Sequence, residues 1–213
     1  MPNFYPRLDY SGTDTLDFYT TANPFFTSYD WNPNTQEYEW LWMPNCTSYA
    51  FGRWNELANE HNYNTRWPLG DGESWYSSCQ SKGYPVSPTQ PLLGDAMCWR
   101  YTDGRVGGHV AIIEDITYDA NNDPAIITTS NSAWYGYQPP RYPQNAFPWF
   151  YLETVAYTNL NHHTGQQFIG FCHHPDLDPQ PIPQTVSLEE LITLIAKKKR
   201  LKTPNYNIWK GGK

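Results

Sequence analysis

The chain has 213 residues, 39% of them hydrophobic and 17% aromatic, which is enough apolar surface for a folded core and excludes disorder over most of its length. The net charge of −7 is unevenly spread, because seven of the fourteen Lys and Arg residues lie in 197–213, beyond the last of the twenty-one acidic residues. The body therefore carries 7 − 21 = −14 and the tail +7, and so acidic a body excludes nucleic-acid binding, which needs a basic face.

The first predicted elements are an irregular extension and two helices. Residues 1–34 show no sustained periodicity, so we expect an irregular N-terminal extension before a compact domain over 35–175. A helix from about Thr47 to Glu60 follows from apolar residues at three- and four-residue steps. A shorter helix is expected within 70–83, between glycine-rich turns. The nineteen prolines and fourteen glycines argue against a bundle built only of helices.

Strands are expected after Gly94. Residues 107–116 alternate, so that His109, Ala111 and Ile113 share one face of a strand. A turn over 121–124 and a returning strand over 125–130 complete a hairpin. A proline-rich aromatic loop follows at 134–151, and a last strand is expected over 167–174.

The C-terminal part is expected to lie outside this domain. Residues 176–185 are rich in proline and indicate an extended linker. Residues 186–213 are expected to form an amphipathic helix with a basic end. As a hypothesis, this tail attaches the domain to a larger assembly; a solvated basic end is the other interpretation. The start, MPNFYPRLDYSG, predicts no secretory signal peptide, and no apolar run is long enough for a transmembrane segment.

Three residues suggest nucleophilic catalysis. Cys46 begins the first predicted helix, where unpaired amides and the helix dipole favour a thiolate, so we expect a lowered pKa. His109 opens one strand of the hairpin and Asn131 ends the other, and the two strand ends lie side by side in an antiparallel pair. This arrangement predicts a thiol nucleophile, a base and a group that orients the base. On spacing alone the signal is weak, and a structural role for each residue stays open.

Local sequence motifs strengthen this interpretation. The segments PNCTSYAFGRWNEL (44–57), GDAMCWR (94–100), GGHVAIIE (107–114) and ITTSNSAWYG (127–136) resemble, in order and spacing, the CHAP family. These are the cysteine, histidine-dependent amidohydrolases and peptidases of peptidoglycan. The resemblance implies an α+β, papain-like fold with N-terminal helices packed on an antiparallel sheet.

The resemblance also implies roles for the residues. Cys46 would be the nucleophile and His109 the base and later the acid. The third position of the family is often Glu, followed two residues later by Asn; here these positions are Asn131 and Ala133, so the orienting role falls to Asn131. Tyr49, Trp99, Trp134, Tyr135 and Tyr137 would line a substrate groove, although core packing explains these aromatic residues as well.

Asp95 and Glu114 are expected to be structural. No cofactor or metal is predicted, because His162-His163 and Cys172-His173-His174 match no known zinc spacing. Some CHAP relatives bind calcium through an Asp-rich loop. Residues 29–45 offer only three acidic side chains without that pattern, so calcium stays open but unsupported.

The implied function is a peptidoglycan hydrolase that cleaves an amide bond through a thioester. The N-acetylmuramoyl–L-alanine bond and a bond of the stem or cross-bridge peptide fit equally, so amidase and endopeptidase both stay open. We expect a bacteriophage protein, either an endolysin held in the host cytoplasm until lysis or a virion component. The alternative is a non-catalytic virion or wall-binding protein on a CHAP scaffold. An NlpC-type peptidase is disfavoured by Asn45 before Cys46.

Overall fold

The computed structural model describes residues 28–32, 37–41, 46–58, 70–132 and 150–177, together with Phe4, Pro6, Asn23 and Pro68. In these residues two helices pack on an antiparallel sheet, as an α+β fold requires. The elements in chain order are β1 (Ser28–Asn32), β2 (Glu37–Leu41), α1 (Cys46–Ala58), α2 (Gly72–Ser81), β3 (Val86–Ser87), β4 (Ala96–Tyr101), β5 (His109–Tyr118), β6 (Pro124–Ser132), β7 (Phe150–Ala156) and β8 (Gln166–Cys172). A 3-10 helix at Tyr157–Asn159 follows β7.

The main sheet has six strands in the order β3-β8-β4-β5-β6-β7, and every neighbouring pair is antiparallel. Strand β5 therefore lies inside the sheet, between β4 and β6. The tight β5–β6 turn is held by Asp119, whose Oδ1 accepts the amides of Asn121 and Asp123. Asn122 adopts a φ of 68° at this turn, a left-handed conformation that Asn tolerates well. The predicted hairpin is confirmed; β5 has the expected length but begins two residues later than predicted, and β6 is three residues longer than predicted.

The two faces of β5 belong to two different hydrophobic clusters. Val110 and Ile112 pack with α1, whereas Ala111 and Ile113 pack with Met97 on the opposite face. This separation is what a two-residue period produces in a strand buried on both sides. The alternation read from the sequence is thus confirmed.

Helix α1 is more deeply buried than its sequence pattern indicates. One apolar stripe was expected, but polar residues such as Ser48 and Asn55 are also fully buried. The reason is that α1 has neighbours on several sides: β5 and β6 pack against it, and its Trp54 ring lies 5.7 Å from that of Trp75 in α2.

A glycine immediately before β5 allows the strand to begin where it does. Gly108 has a φ of +60°, and a Cβ there would lie 2.0 Å from the Trp99 carbonyl oxygen. Any other residue at 108 would therefore displace β5 from β4. The motif Gly107-Gly108-His109 thus places the histidine at the edge of the packed region.

Several regular elements lie where none was predicted, among them β3 and the 3-10 helix at Tyr157–Asn159. The β1–β2 hairpin occupies residues expected to be mostly irregular, and in its register Tyr29 is opposite Trp40 and Trp31 is opposite Tyr38. Strand β7 begins at Phe150, inside the expected 134–151 loop, and pairs along β6. The linker and tail, 178–213, lie outside the described residues, so their expected structure stays a prediction. Within the described part, no helix is long and apolar enough to cross a membrane.

A buried ion pair joins α1 to β5. Arg53 donates from Nε and Nη2 to the two carboxylate oxygens of Glu114, at 2.7 and 2.8 Å. The side chains are 1% and 3% exposed, so both charges lie away from water. Ser130 donates to Glu114 at 2.7 Å, and Glu56 accepts from Arg53 at 2.9 Å. The expectation that Glu114 is structural is confirmed by these contacts.

Breaking this pair should destabilise the protein strongly. Arg53→Met leaves the Glu114 carboxylate buried with too few donors, and we expect a loss of about 3–5 kcal/mol in the free energy of unfolding. Glu56 is 20% exposed, and the matched control Glu56→Gln should cost less than about 1 kcal/mol. Urea unfolding measures both. Combining Arg53→Met with Glu114→Leu should restore part of the stability, and an Arg53→Met loss no larger than that of the control would contradict this assignment.

Candidate active site

Cys46 is the first residue of α1, one residue earlier than the predicted helix start. Its side chain is buried, and the backbone amides of Val110, Thr47 and Cys46 itself form hydrogen bonds to the sulfur. Val110 follows His109 directly in β5. The thiol and the imidazole are therefore held at the same end of this strand.

Burial controls the ionisation of this thiol. Loss of water raises the pKa of Cys46 to about 11, and the nearby carboxylate of Asp71 acts in the same direction. The amide hydrogen bonds from Val110 and from the start of α1 favour the thiolate but do not outweigh burial. The lowered pKa expected from the helix position alone is thus wrong, because desolvation exceeds the effect of the helix terminus.

His109 and Asn131 form the hydrogen bond that the sequence predicted. His109 Nε2 lies 3.0 Å from Asn131 Oδ1, and both side chains are buried. The register of β5 and β6, with Ile112 opposite Ser130, brings these strand ends together. Cys46, His109 and Asn131 therefore occupy one region of the fold.

Thr129 determines which atom of the Asn131 amide faces the histidine. Asn131 Nδ2 lies 2.9 Å from Thr129 Oγ1 and 3.3 Å from the Thr129 carbonyl oxygen. A carbonyl only accepts hydrogen bonds, so Nδ2 must point to Thr129 and Oδ1 to His109. His109 then donates from Nε2, and in the neutral ring Nδ1 keeps its lone pair.

The imidazole is held as a neutral base. Burial lowers the pKa of His109 below 6.5, although the hydrogen bond to Asn131 and the charge of Glu153 favour the protonated ring. Trp99 lies opposite His109 in the β4–β5 register, with its ring 5.6 Å away. Trp99 Nε1 donates to the Leu160 carbonyl oxygen at 2.7 Å, which fixes the indole against the imidazole.

Two of the predicted groove residues lie in the core. Tyr49 is fully buried and stacks on Phe150 with ring centroids 4.5 Å apart, and Trp99 is 1% exposed. Neither offers a ring face to a ligand, so their assignment to a substrate groove is corrected. Trp134, Tyr135 and Tyr137 lie outside the described residues, and their substrate contact stays a prediction.

Asp95 is structural, as expected. Its carboxylate accepts the Leu92 amide at 2.8 Å and lies 2.7 Å from His173 Nδ1. These contacts hold the turn before β4 against the chain that leaves β8. The side chains of the Cys172-His173-His174 segment also make structural contacts. His174 packs edge-on against Trp54, and the Cys172 sulfur lies 3.7 Å from that of Cys98.

Several residues near the imidazole were not predicted to lie there. Tyr151 lies opposite Asn131 in the register of β6 and β7, and burial raises the pKa of its hydroxyl to about 12. Glu153, His162 and His163 form a cluster, and the His163 ring lies against that of His109. Strand β7 carries two of these residues, and a prediction of that strand would have been needed to find them.

The arrangement has the parts of an acyl-transfer site. A buried thiol lies among backbone amides at a helix start, and the adjoining strand carries a neutral imidazole whose tautomer is fixed by an amide. Such groups allow a nucleophile to be deprotonated at the moment of attack and an oxyanion to be stabilised.

Comparison with known proteins finds a domain model that matches the segment around this site. The CHAP domain model matches residues 31–132. A crystal structure of an N-acetylmuramoyl-L-alanine amidase from Staphylococcus aureus is similar at 18% identity and a TM-score of 0.36, over 66% of this chain and 37% of that one. So distant a likeness carries no argument about activity, and a search of the curated proteins finds no match. The chain is similar to the CHAP domain over residues 31–132, and this matched segment holds Cys46, His109 and Asn131.

Proposed function

We propose that the chain is a peptidoglycan hydrolase that cleaves an amide bond with Cys46 as nucleophile and His109 as general base. The observation that carries this proposal is the 3.0 Å contact between His109 Nε2 and Asn131 Oδ1, beside a thiol at the start of a helix. The match of residues 31–132 to the CHAP domain model supports peptidoglycan as the substrate.

The first half of the reaction forms a thioester. Because the pKa of Cys46 is raised, the thiol is protonated at rest, and His109 takes its proton as the sulfur attacks the carbonyl carbon. The amides of Cys46 and Thr47 are the donors best placed to stabilise the oxyanion. The carbon–nitrogen bond then breaks, and the imidazolium gives its proton to the departing amine.

The second half of the reaction hydrolyses the thioester and regenerates the free enzyme. His109 takes a proton from water, which attacks the thioester carbon, and the sulfur leaves with that proton. The carboxylic acid product departs, and thiol and neutral imidazole are restored. Throughout, the contact of His109 Nε2 with Asn131 keeps the ring orientation and leaves Nδ1 for the proton transfers.

Two candidates remain for the bond that is cut. An N-acetylmuramoyl–L-alanine amidase and an endopeptidase of the stem or cross-bridge peptide need the same chemistry at the carbonyl carbon. The phage origin, the place in a virion or in the host cytoplasm, and the binding of virion proteins by residues 186–213 also stay predictions.

Digestion of purified peptidoglycan tests the activity. The wild-type chain should release soluble fragments, and Cys46→Ala should reduce the rate by several orders of magnitude because no acyl-enzyme forms. Cys79→Ala is the matched control, since Cys79 is also a buried thiol but packs in the core at α2. Mass spectrometry of the fragments identifies the bond: free muramic acid ends indicate an amidase and new peptide amines an endopeptidase. Equal digestion by wild type and Cys46→Ala would refute the mechanism, and no digestion by either would refute the function.

The orientation of His109 predicts a graded loss of activity. Asn131→Ala frees the imidazole, and we expect kcat to fall on the order of 10²-fold with little change in KM, because a displaced base affects the transition state more than binding. Thr129→Val keeps the carbonyl that holds Asn131 Nδ2 and removes only the hydroxyl, so its kcat should fall less. Steady-state kinetics on soluble peptidoglycan fragments measures both. An Asn131→Ala variant with unchanged kcat would show that Asn131 does not position the base.

A further inference from the structure

A cluster of one carboxylate and two imidazoles lies next to the candidate active site. Glu153 projects from β7, and His162 and His163 follow the 3-10 helix at Tyr157–Asn159, just before β8. Glu153 Oε2 lies 3.0 Å from His162 Nε2 and 3.6 Å from His163 Nε2. Among the residues that the structure describes, these three are a group whose possible ligand atoms all lie within 4.8 Å of one another.

Hydrogen bonding within the protein does not account for these atoms. Glu153 Oε2 and both Nε2 atoms are buried, and none has an aligned hydrogen-bond partner in the described part of the chain. A single carboxylate neutralises one imidazolium, and the rings of His162 and His163 are only 4.0 Å apart, which disfavours a charge on both. One imidazole therefore keeps a lone pair directed into the cluster. Unpaired buried polar atoms are costly, and a bound cation would satisfy all three.

We propose that Glu153, His162 and His163 bind a divalent transition metal ion, with Zn²⁺ as the best match. Two imidazoles and one carboxylate are a common three-residue zinc set that leaves a fourth position open, whereas Ca²⁺ and Mg²⁺ prefer oxygen ligands. With bonds of about 2.1 Å in a tetrahedral site, two ligand atoms lie about 3.4 Å apart. The ligand atoms of the cluster lie within 4.8 Å of one another, so its widest pair needs to close by at most about 1.4 Å.

Surrounding aromatic contacts hold the two histidines in place. The Trp99 ring meets His162 and His163 edge-on, with centroids 5.8 and 4.8 Å away. The same indole is tied to the carbonyl of Leu160, two residues before His162. Restricting the rings before a metal arrives lowers the entropy that binding must overcome.

The site adjoins the catalytic imidazole but is separate from the proposed reaction. The His163 and His109 rings meet edge-on at 5.1 Å, while His109 Nε2 is occupied by Asn131. No step proposed for the hydrolase uses the cluster. Metal binding is therefore expected whether or not the chain hydrolyses peptidoglycan. For this reason it is tested in the Cys46→Ala chain, which lacks the proposed nucleophile.

The experiment uses the full-length Cys46→Ala chain after treatment with a chelator. Isothermal titration with Zn²⁺ should show one site per chain, and the unfolding temperature should rise by about 5–10 °C when free zinc exceeds its dissociation constant a hundredfold. Substitution with Co²⁺ should give the visible bands of a four-coordinate nitrogen and oxygen site, without the near-ultraviolet band of a thiolate ligand.

Three single substitutions identify the ligands. Glu153→Gln, His162→Gln and His163→Gln should each weaken zinc binding at least about a hundredfold, since each removes a direct ligand. His174→Gln is the matched control and should retain full affinity, because His174 packs on Trp54 away from the cluster. Circular dichroism confirms folding, and the three substitutions report independently if one fails to fold.

Several results would overturn the proposal. These are the absence of zinc binding by Cys46→Ala, an affinity unchanged by the three cluster substitutions, and a thiolate band in the Co²⁺ spectrum. The last would place the metal on the buried thiols of Cys79, Cys98 and Cys172 instead.

Discussion

The buried ion pair between Arg53 and Glu114 is the contact on which the geometry of the site depends. Arg53 follows Cys46 by 53 − 46 = 7 residues in α1, and Glu114 follows His109 by 114 − 109 = 5 residues in β5. The pair thus joins the helix that carries the thiol to the strand that carries the imidazole, about 10 Å along the helix from Cys46. A shift of either element would leave a charge unpaired in the core. Two separate sequence motifs, 44–57 and 107–114, therefore supply the two halves of one contact.

Burial then sets the chemistry at the other end of these elements. The surroundings that exclude water from Cys46 raise its pKa, and they lower that of His109, so both groups are neutral at rest. The start of α1 supplies amides to the sulfur but does not create a thiolate alone. In this account the charge separates during attack, when the oxyanion can use the same amides. The Thr129–Asn131–His109 chain matters because only one tautomer of a neutral imidazole can accept the proton.

The sequence was sufficient where a pattern is local. Periodicity predicts α1 and the β5–β6 hairpin, and the order of the motifs predicts that Cys46, His109 and Asn131 lie together. Sequence patterns were not sufficient where contacts between distant segments determine the structure. Strand β7 pairs with β6 across a long connection, so neither Tyr151 nor Glu153 could be placed near His109. Burial was also misjudged. Tyr49 and Trp99 were expected to line a groove but fill the core, and the pKa of Cys46 rises because side chains distant in sequence exclude water.

The pH dependence of Cys46 alkylation tests most directly whether thiol and imidazole form a pair that is neutral at rest. Since the pKa of Cys46 is raised to about 11, the rate with iodoacetamide should be low at neutral pH and should climb as the solution becomes alkaline. Loss of the general base in His109→Ala should lower the neutral rate further, and Cys46→Ala gives the background from the other thiols. Rapid alkylation that is constant from mildly acid to mildly alkaline pH would reveal a preformed thiolate and contradict the account.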